Sequence, residues 1–174
     1  MTNQPLEESS LALPRRRYQQ PELRVVAFKM AGQEYVVDVA QVQEIIRPTA
    51  LLRVAGMPEQ VEGLVKRRGR IVPIVDLRKR LHLPVGEPTP ESCILISPLS
   101  IGPVGFLVDS ASELMWVKTN TFEVPSSLLA RADQGYVQGV AHLGERVLVM
   151  LDLEHLLSPT EQHLLVMGEE RLDG

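Results

Sequence analysis

From Leu23 onward the apolar residues fall in short runs separated by turn-forming residues, a pattern of strands and hairpins rather than long helices. Arg24-Val25-Val26-Ala27-Phe28-Lys29-Met30 predicts a strand, Ala31-Gly32-Gln33-Glu34 a hairpin turn, and Tyr35-Val36-Val37-Asp38-Val39 the returning strand. Val39, Val42, Ile45 and Ile46 then recur at helical spacing, which predicts a short helix with one apolar face, ended by Pro48. Residues 61–65 and 70–75 predict two strands around a tight turn at Gly69, and Pro73 places the second near an edge or bulge. Residues 76–81 predict one helical turn, and residues 84–90, with three prolines and a glycine, a loop. Ser158-Pro159-Thr160-Glu161 reads as a capping box with proline at the first helical position, opening a helix that runs to about Met167.

The pattern occurs twice. Val61-Glu62-Gly63 through Asp76-Leu77 and Leu81 aligns without gaps on Val137-Gln138-Gly139 through Asp152-Leu153 and Leu157, at an offset of 76. Tyr35-Val36-Val37-Asp38 aligns on Phe106-Leu107-Val108-Asp109 at an offset of 71. A loop absorbs the difference. A duplicated set of short strands predicts two related β-subdomains rather than one sandwich.

Composition adds a bound on size and a charge asymmetry. The 174 residues are 44% hydrophobic, enough to bury a core, and allow one large domain or two small ones. The net charge of −4 is divided as +5 over residues 1–80 and −9 over residues 81–174. Residues 1–22, with three prolines and the Arg15-Arg16-Arg17 run, predict a flexible N-terminal tail. The first eight residues lack the basic and apolar regions of a signal peptide, and the apolar stretch at 93–108 is too interrupted for a membrane span. A single cysteine excludes an intrachain disulfide, so the default expectation is a cytoplasmic protein.

Little here points to catalysis. His82, His142, His155 and His163 form no metal-ligand pair, and neither a nucleophile elbow nor a phosphate-binding glycine loop occurs. Cys93 lies in an apolar strand without a basic neighbour, as a buried inert thiol does. Asp76, Asp109 and Asp152 each follow a strand and read as caps or turn formers.

Two constellations remain. Residues 66–80 hold Lys66, Arg67, Arg68, Arg70, Arg78, Lys79 and Arg80 against one acid, Asp76. This stretch fits a solvated hairpin tip, a docking site for an acidic or helical protein surface, or a small β-barrel's RNA-binding face. No aromatic residue lies between Tyr35 and Phe106, which weighs against base stacking. The second constellation, Val42 to Ile45 with Val61 to Val65, fits either ordinary core packing or a shallow apolar groove with Glu44 on its rim.

Phe28-x-x-x-Gly32-x-x-Tyr35, Asp38-Val39-x-x-Val42-x-Glu44-Ile45 and Val61-x-Gly63-Leu64-Val65-x-x-Arg68-Gly69-x-Ile71-Val72-Pro73-Ile74-Val75-Asp76-Leu77-Arg78 resemble the CheW family of bacterial chemotaxis coupling proteins. Gly105-Phe106-Leu107-Val108-Asp109, Val137-x-Gly139-Val140 and Leu151-Asp152-Leu153 continue the likeness in the second half. The resemblance covers residues 23–158, leaving a C-terminal helix and tail at 159–174. It implies a mainly β fold of two intertwined SH3-like five-stranded barrels with short helices. It also implies a non-enzymatic scaffold without cofactor or metal, located in the cytoplasm at membrane-associated receptor arrays without inserting into the membrane. The expected partners are the cytoplasmic hairpin tip of chemoreceptors and the regulatory domain of the CheA-type histidine kinase, not nucleic acid. Val42, Glu44, Gly63 and Arg68 fall on the family's receptor-contact positions, with Glu44 and Arg68 placed to pair across the groove. Lys66 and Arg67 stand where the family commonly has Asn-Leu, and with Arg70 they are candidate partner-surface residues.

Overall fold

Residues 21–53, 55–126 and 135–173 are described in the computed structural model. The described residues build eleven strands: β1 (Glu22–Met30), β2 (Gln33–Asp38), β3 (Glu44–Ile46), β4 (Val61–Arg67), β5 (Arg70–Asp76), β6 (Cys93–Leu99), β7 (Gly102–Val108), β8 (Ser110–Lys118), β9 (Phe122–Glu123), β10 (Val137–Leu143) and β11 (Arg146–Leu151). The described residues also include the single turn α1 (Leu77–Arg80) and the terminal α2 (Pro159–Asp173). The tail expected at 1–22 lies outside the described residues up to position 20, and Glu22 already opens β1.

The strands form two sheets, one of six in the order β8-β1-β2-β11-β10-β9 and one of five in the order β3-β6-β7-β5-β4. The expected five-plus-five count is exceeded by the two-residue β9, and both sheets stay open rather than closing into full barrels. The two repeats exchange their first hairpins. β1–β2 is inserted between β8 and β11 of the second repeat, while β6–β7 is inserted between β3 and β5 of the first. Parallel pairs β2–β11 and β5–β7 mark where the repeats interlock.

This exchange explains why β1 reads as an unbroken apolar run. Val25 and Ala27 pack inside the six-stranded subdomain with Val36 and Leu148, whereas Val26, Phe28 and Met30 enter a larger core shared by both subdomains. A strand buried on both faces loses its polar alternation. The five-stranded subdomain has its own interior of Val72, Ile74, Ile94 and Ile96.

The duplication is visible in detail. β4 bulges between Val61 and Gly63, and β10 bulges between Val137 and Gly139. The Asp76 N–H donates to the Gln60 carbonyl at 2.7 Å, as the Asp152 N–H does to that of Tyr136 at 2.7 Å. Asp76 and Asp152 both cap the turn that follows, accepting from Arg78 N and Glu154 N. Asp109 is not a cap; it accepts the Ala31 N–H at 2.7 Å and so ties the repeats together.

Two local expectations change. Only Val39–Gln41 is helical, a 3₁₀ turn capped by Asp38, and Val42 is already extended at φ −118°. The helical spacing arose because Val42 packs on the shared core and Ile46 on the five-stranded interior, while strand pairing with β6 fixes residues 44–46. Pro73 lies in the internal strand β5 rather than at an edge, but opposite Leu64 and beside the β4 bulge at Gly63, so the bulge expectation holds. Leu64 uses both its backbone groups on Leu52. The pair is therefore a non-hydrogen-bonded one, and β4 asks no donor of Pro73. The capping box is present as expected: Ser158 Oγ accepts from Glu161 N at 3.1 Å, and Ser158 N donates to Glu161 Oε1 at 3.0 Å.

Candidate functional site

The edge strands of the five-stranded sheet, β3 and β4, face one another across an open seam. Glu44 on β3 and Arg67 at the end of β4 close one point of it through a hydrogen-bonded ion pair. Arg68 approaches the other carboxylate oxygen at 3.5 Å. The Arg67 hydrogen bond holds the Glu44 carboxyl below the usual carboxylate range. The expected Glu44–Arg68 pair is thus present as the longer contact, with Arg67 as the hydrogen-bonded partner. Arg68 and Gly69 occupy the two turn positions with φ of +52° and +77°, a type I′ geometry that leaves the Arg68 side chain 76% exposed.

Beside this pair the seam opens into a groove of about 490 Å³, lined by Ile45, Ile46 and Val65 together with Arg47, Lys66 and Arg67. Ile45 is 47% exposed. Gly63 is not a rim residue. A Cβ there would stand 2.8 Å from both Leu51 Cβ and the Leu52 carbonyl oxygen, so the glycine lets residues 51–52 close against β4. Val42 is likewise held in packing, against the shared core. Among the predicted receptor-contact residues, the structure brings Glu44 and Arg68 together and gives Val42 and Gly63 supporting positions.

The cations of residues 66–80 do not form one surface. Arg78 is buried, donating to Asp76 Oδ1 from Nε at 3.0 Å, to Asp76 Oδ2 at 2.9 Å and to Asp109 Oδ1 at 2.9 Å. Lys79 pairs with Glu62 at 2.6 Å and Arg80 with Glu161 at 3.4 Å. Lys66 and Arg70 have no ion-pair partner among the described residues. Of the charge in residues 66–80, the part available at the surface therefore lies at the β4–β5 tip, next to the seam.

The model of the CheW-like domain matches residues 24–161, which span both sheets and the start of α2. The chain belongs to this family. Among similar proteins, a probable chemotaxis protein CheW of Rhizobium etli is 27% identical over 82% of this chain and 92% of its own length. The chemotaxis protein CheW of Bacillus subtilis is 29% identical over 77% of this chain and 86% of its own. The crystal structure of the scaffolding protein TtCheW from Thermoanaerobacter tengcongensis superposes with a TM-score of 0.73 at 25% identity, covering 81% of this chain and 96% of that one.

Other polar clusters of this CheW-like domain are structural. Asp152 accepts from Gln41 Nε2 at 2.7 Å and from Glu154 N at 3.0 Å, and His155 Nδ1 lies 2.6 Å from its second oxygen. Gln41 in turn accepts from Leu153 N at 2.9 Å, which joins the turn before β3 to the second repeat. Burial pushes the Cys93 thiol up, away from the reactive thiolate. No group of three or more His, Cys, Asp or Glu side chains suited to a metal ion occurs among the described residues, and none of the described helices is long and apolar enough to cross a membrane.

Sequence reasoning missed Arg67 as the partner of Glu44. The signal was available in the hairpin register. With Arg68-Gly69 as the turn, Arg67 and Arg70 are the closing pair, and Arg67 lies on the same face as the inward-packing Val65.

Proposed function

We propose that the protein is a non-enzymatic cytoplasmic adaptor that couples the cytoplasmic hairpin tip of chemoreceptors to the regulatory domain of a CheA-type histidine kinase. Family membership supports this reading, and so do the names of the similar proteins, which are chemotaxis and scaffolding proteins. The observation that carries it at the residue level is the Glu44–Arg67–Arg68 cluster on the open β3–β4 seam, beside exposed Ile45. A charged rim beside an apolar anchor supports reading this face as the receptor contact. Val42 and Gly63 fix the backbone under that face, and Lys66, Arg67 and Arg70 supply its flank.

The mechanism is bivalent: a rigid two-sheet body holds two partners at once, so each meets the other at raised effective concentration. No catalytic group, cofactor or nucleic acid enters it. A pull-down of the receptor cytoplasmic fragment and the kinase regulatory domain by the full chain tests the proposal. Both are expected to be retained, and failure to bind either with the fold intact overturns it.

A further inference from the structure

Five cations, Arg47, Lys66, Arg67, Arg68 and Arg70, lie on or beside the β3–β4 seam. One carboxylate, Glu44, accompanies them, only 17% exposed and with both oxygens turned to arginines. Arg47 donates to the uncharged Pro90 carbonyl at 2.8 Å. Glu91 lines an adjoining groove that shares Ile45, Ile46 and Arg47 with this one. In the middle stands Ile45, 47% exposed, and Leu52, 55% exposed, flanks β4 through its bridge to Leu64.

Resting on the reading of this face as the receptor contact, we infer that it is built for a partner that presents carboxylates around an apolar side chain, as on the acidic face of an amphipathic helix. A basic partner would meet a surplus of four positive charges, five cations against one carboxylate, and would have to displace Arg67 from Glu44 to gain a counter-charge. An acidic partner leaves that pair intact and adds complementary charge at the rim, where such charge governs specificity and association rate. Ile45 and Leu52 supply the desolvated centre that rim charges cannot.

The backbone argues for recognition by side chains rather than by strand addition. Alternation along β4 turns the N–H and carbonyl of Lys66 outward, as it does those of Leu64, and Lys66 finds no backbone partner there among the described residues. One free residue on β4 facing a three-residue β3 is too little edge to seat a further strand. No aromatic side chain lines the groove, so stacked bases would find no platform.

The test titrates the host's receptor cytoplasmic hairpin fragment into the full chain by calorimetry at two salt concentrations. The variants are the wild type, the double charge reversal Lys66→Glu/Arg70→Glu, and a control, Lys118→Glu, on β8. The expected result is binding that weakens as salt rises and falls about tenfold or more in the double reversal. Lys118→Glu should bind as tightly as the wild type. Undiminished binding by the double reversal overturns the acidic partner while leaving the receptor reading standing, and tighter binding assigns a basic partner instead. No binding by the wild type overturns both readings. Capture of single-stranded RNA with steep salt dependence, lost in the same double reversal, gives the cations to phosphates and overturns the inference.

Discussion

Arg67, the last residue of β4, donates to Glu44 on β3 across the open edge of the five-stranded sheet, while its neighbour Arg68 reaches the same carboxylate only at 3.5 Å. The turn geometry accounts for the difference. Arg68 sits at a left-handed turn position that aims it at solvent, whereas Arg67 is still in the strand and faces the seam. Charge exchange between Glu44 and Arg67 should therefore rebuild the contact. Glu44→Arg and Arg67→Glu alone each set like charges across the seam and are expected to weaken receptor-fragment binding; the double variant is expected to recover most of it. Combining Glu44→Arg with Arg68→Glu should recover less. A double-mutant cycle of dissociation constants measures this, and equal recovery by the two combinations would show that Arg67 holds no privileged position.

Arg78 is the buried cation that joins α1, β5 and β7, and through Asp109 it reaches the β1–β2 turn. Removing it strands Asp76, which is 1% exposed. Arg78→Ala is expected to destabilise the chain by about 3–5 kcal/mol, the cost of leaving one partner of a buried pair uncompensated. Asp109→Asn should cost less, because the Asp109 side chain is 36% exposed. Urea unfolding followed by circular dichroism checks both, and an Asp109 effect as large as that of Arg78 would contradict the assignment.

Gly63 and Gly139 occupy the same bulge in the two repeats but differ in clearance. A Cβ at Gly63 meets backbone at 2.8 Å, and one at Gly139 meets its nearest atoms at 3.2 Å. Gly63→Ala should destabilise by about 1–3 kcal/mol through overpacking. Because it pushes residues 51–52 off β4, it should also weaken receptor-fragment binding. Gly139→Ala should be the milder change in unfolding experiments and leave that binding unaltered.

Asp152 gives the protein an acid-sensitive link. Burial pushes its carboxyl up, but hydrogen bonds from Gln41, His155 and the Glu154 N–H together hold it below the usual Asp range, which lies near about 3.9. A lowered folded value means that the stabilisation is complete above the ordinary value and is lost as pH falls through the folded one. Asp152→Asn should therefore be less stable than the wild type at neutral pH, and the gap should close in acid. Thermal melts across that window measure it, and a gap independent of pH would exclude this link.

Much of the architecture is legible in the residues because duplication leaves a register. The offset of 76 aligns Gly63 with Gly139 and Asp76 with Asp152, and these pairs share bulge and cap geometry. The exchange of hairpins is not legible from spacing, since it depends on which strand edges meet rather than on which residues form strands. Val42 and Ile45 misled for a related reason: helical spacing arose from one residue packing on the shared core and another left exposed on a strand. At the seam, Glu44 and Arg68 were found, but the pairing was set by the hairpin twist, which assigned the stronger contact to Arg67.

Simultaneous occupancy is the core of the coupling account. Sedimentation-velocity ultracentrifugation of the full chain with the receptor cytoplasmic fragment and the kinase regulatory domain addresses it most directly. The account predicts a ternary species heavier than either binary complex, with receptor fragment and kinase domain both present. If the two partners instead displace one another from the chain, so that only binary complexes sediment, the protein does not couple them and the account is contradicted.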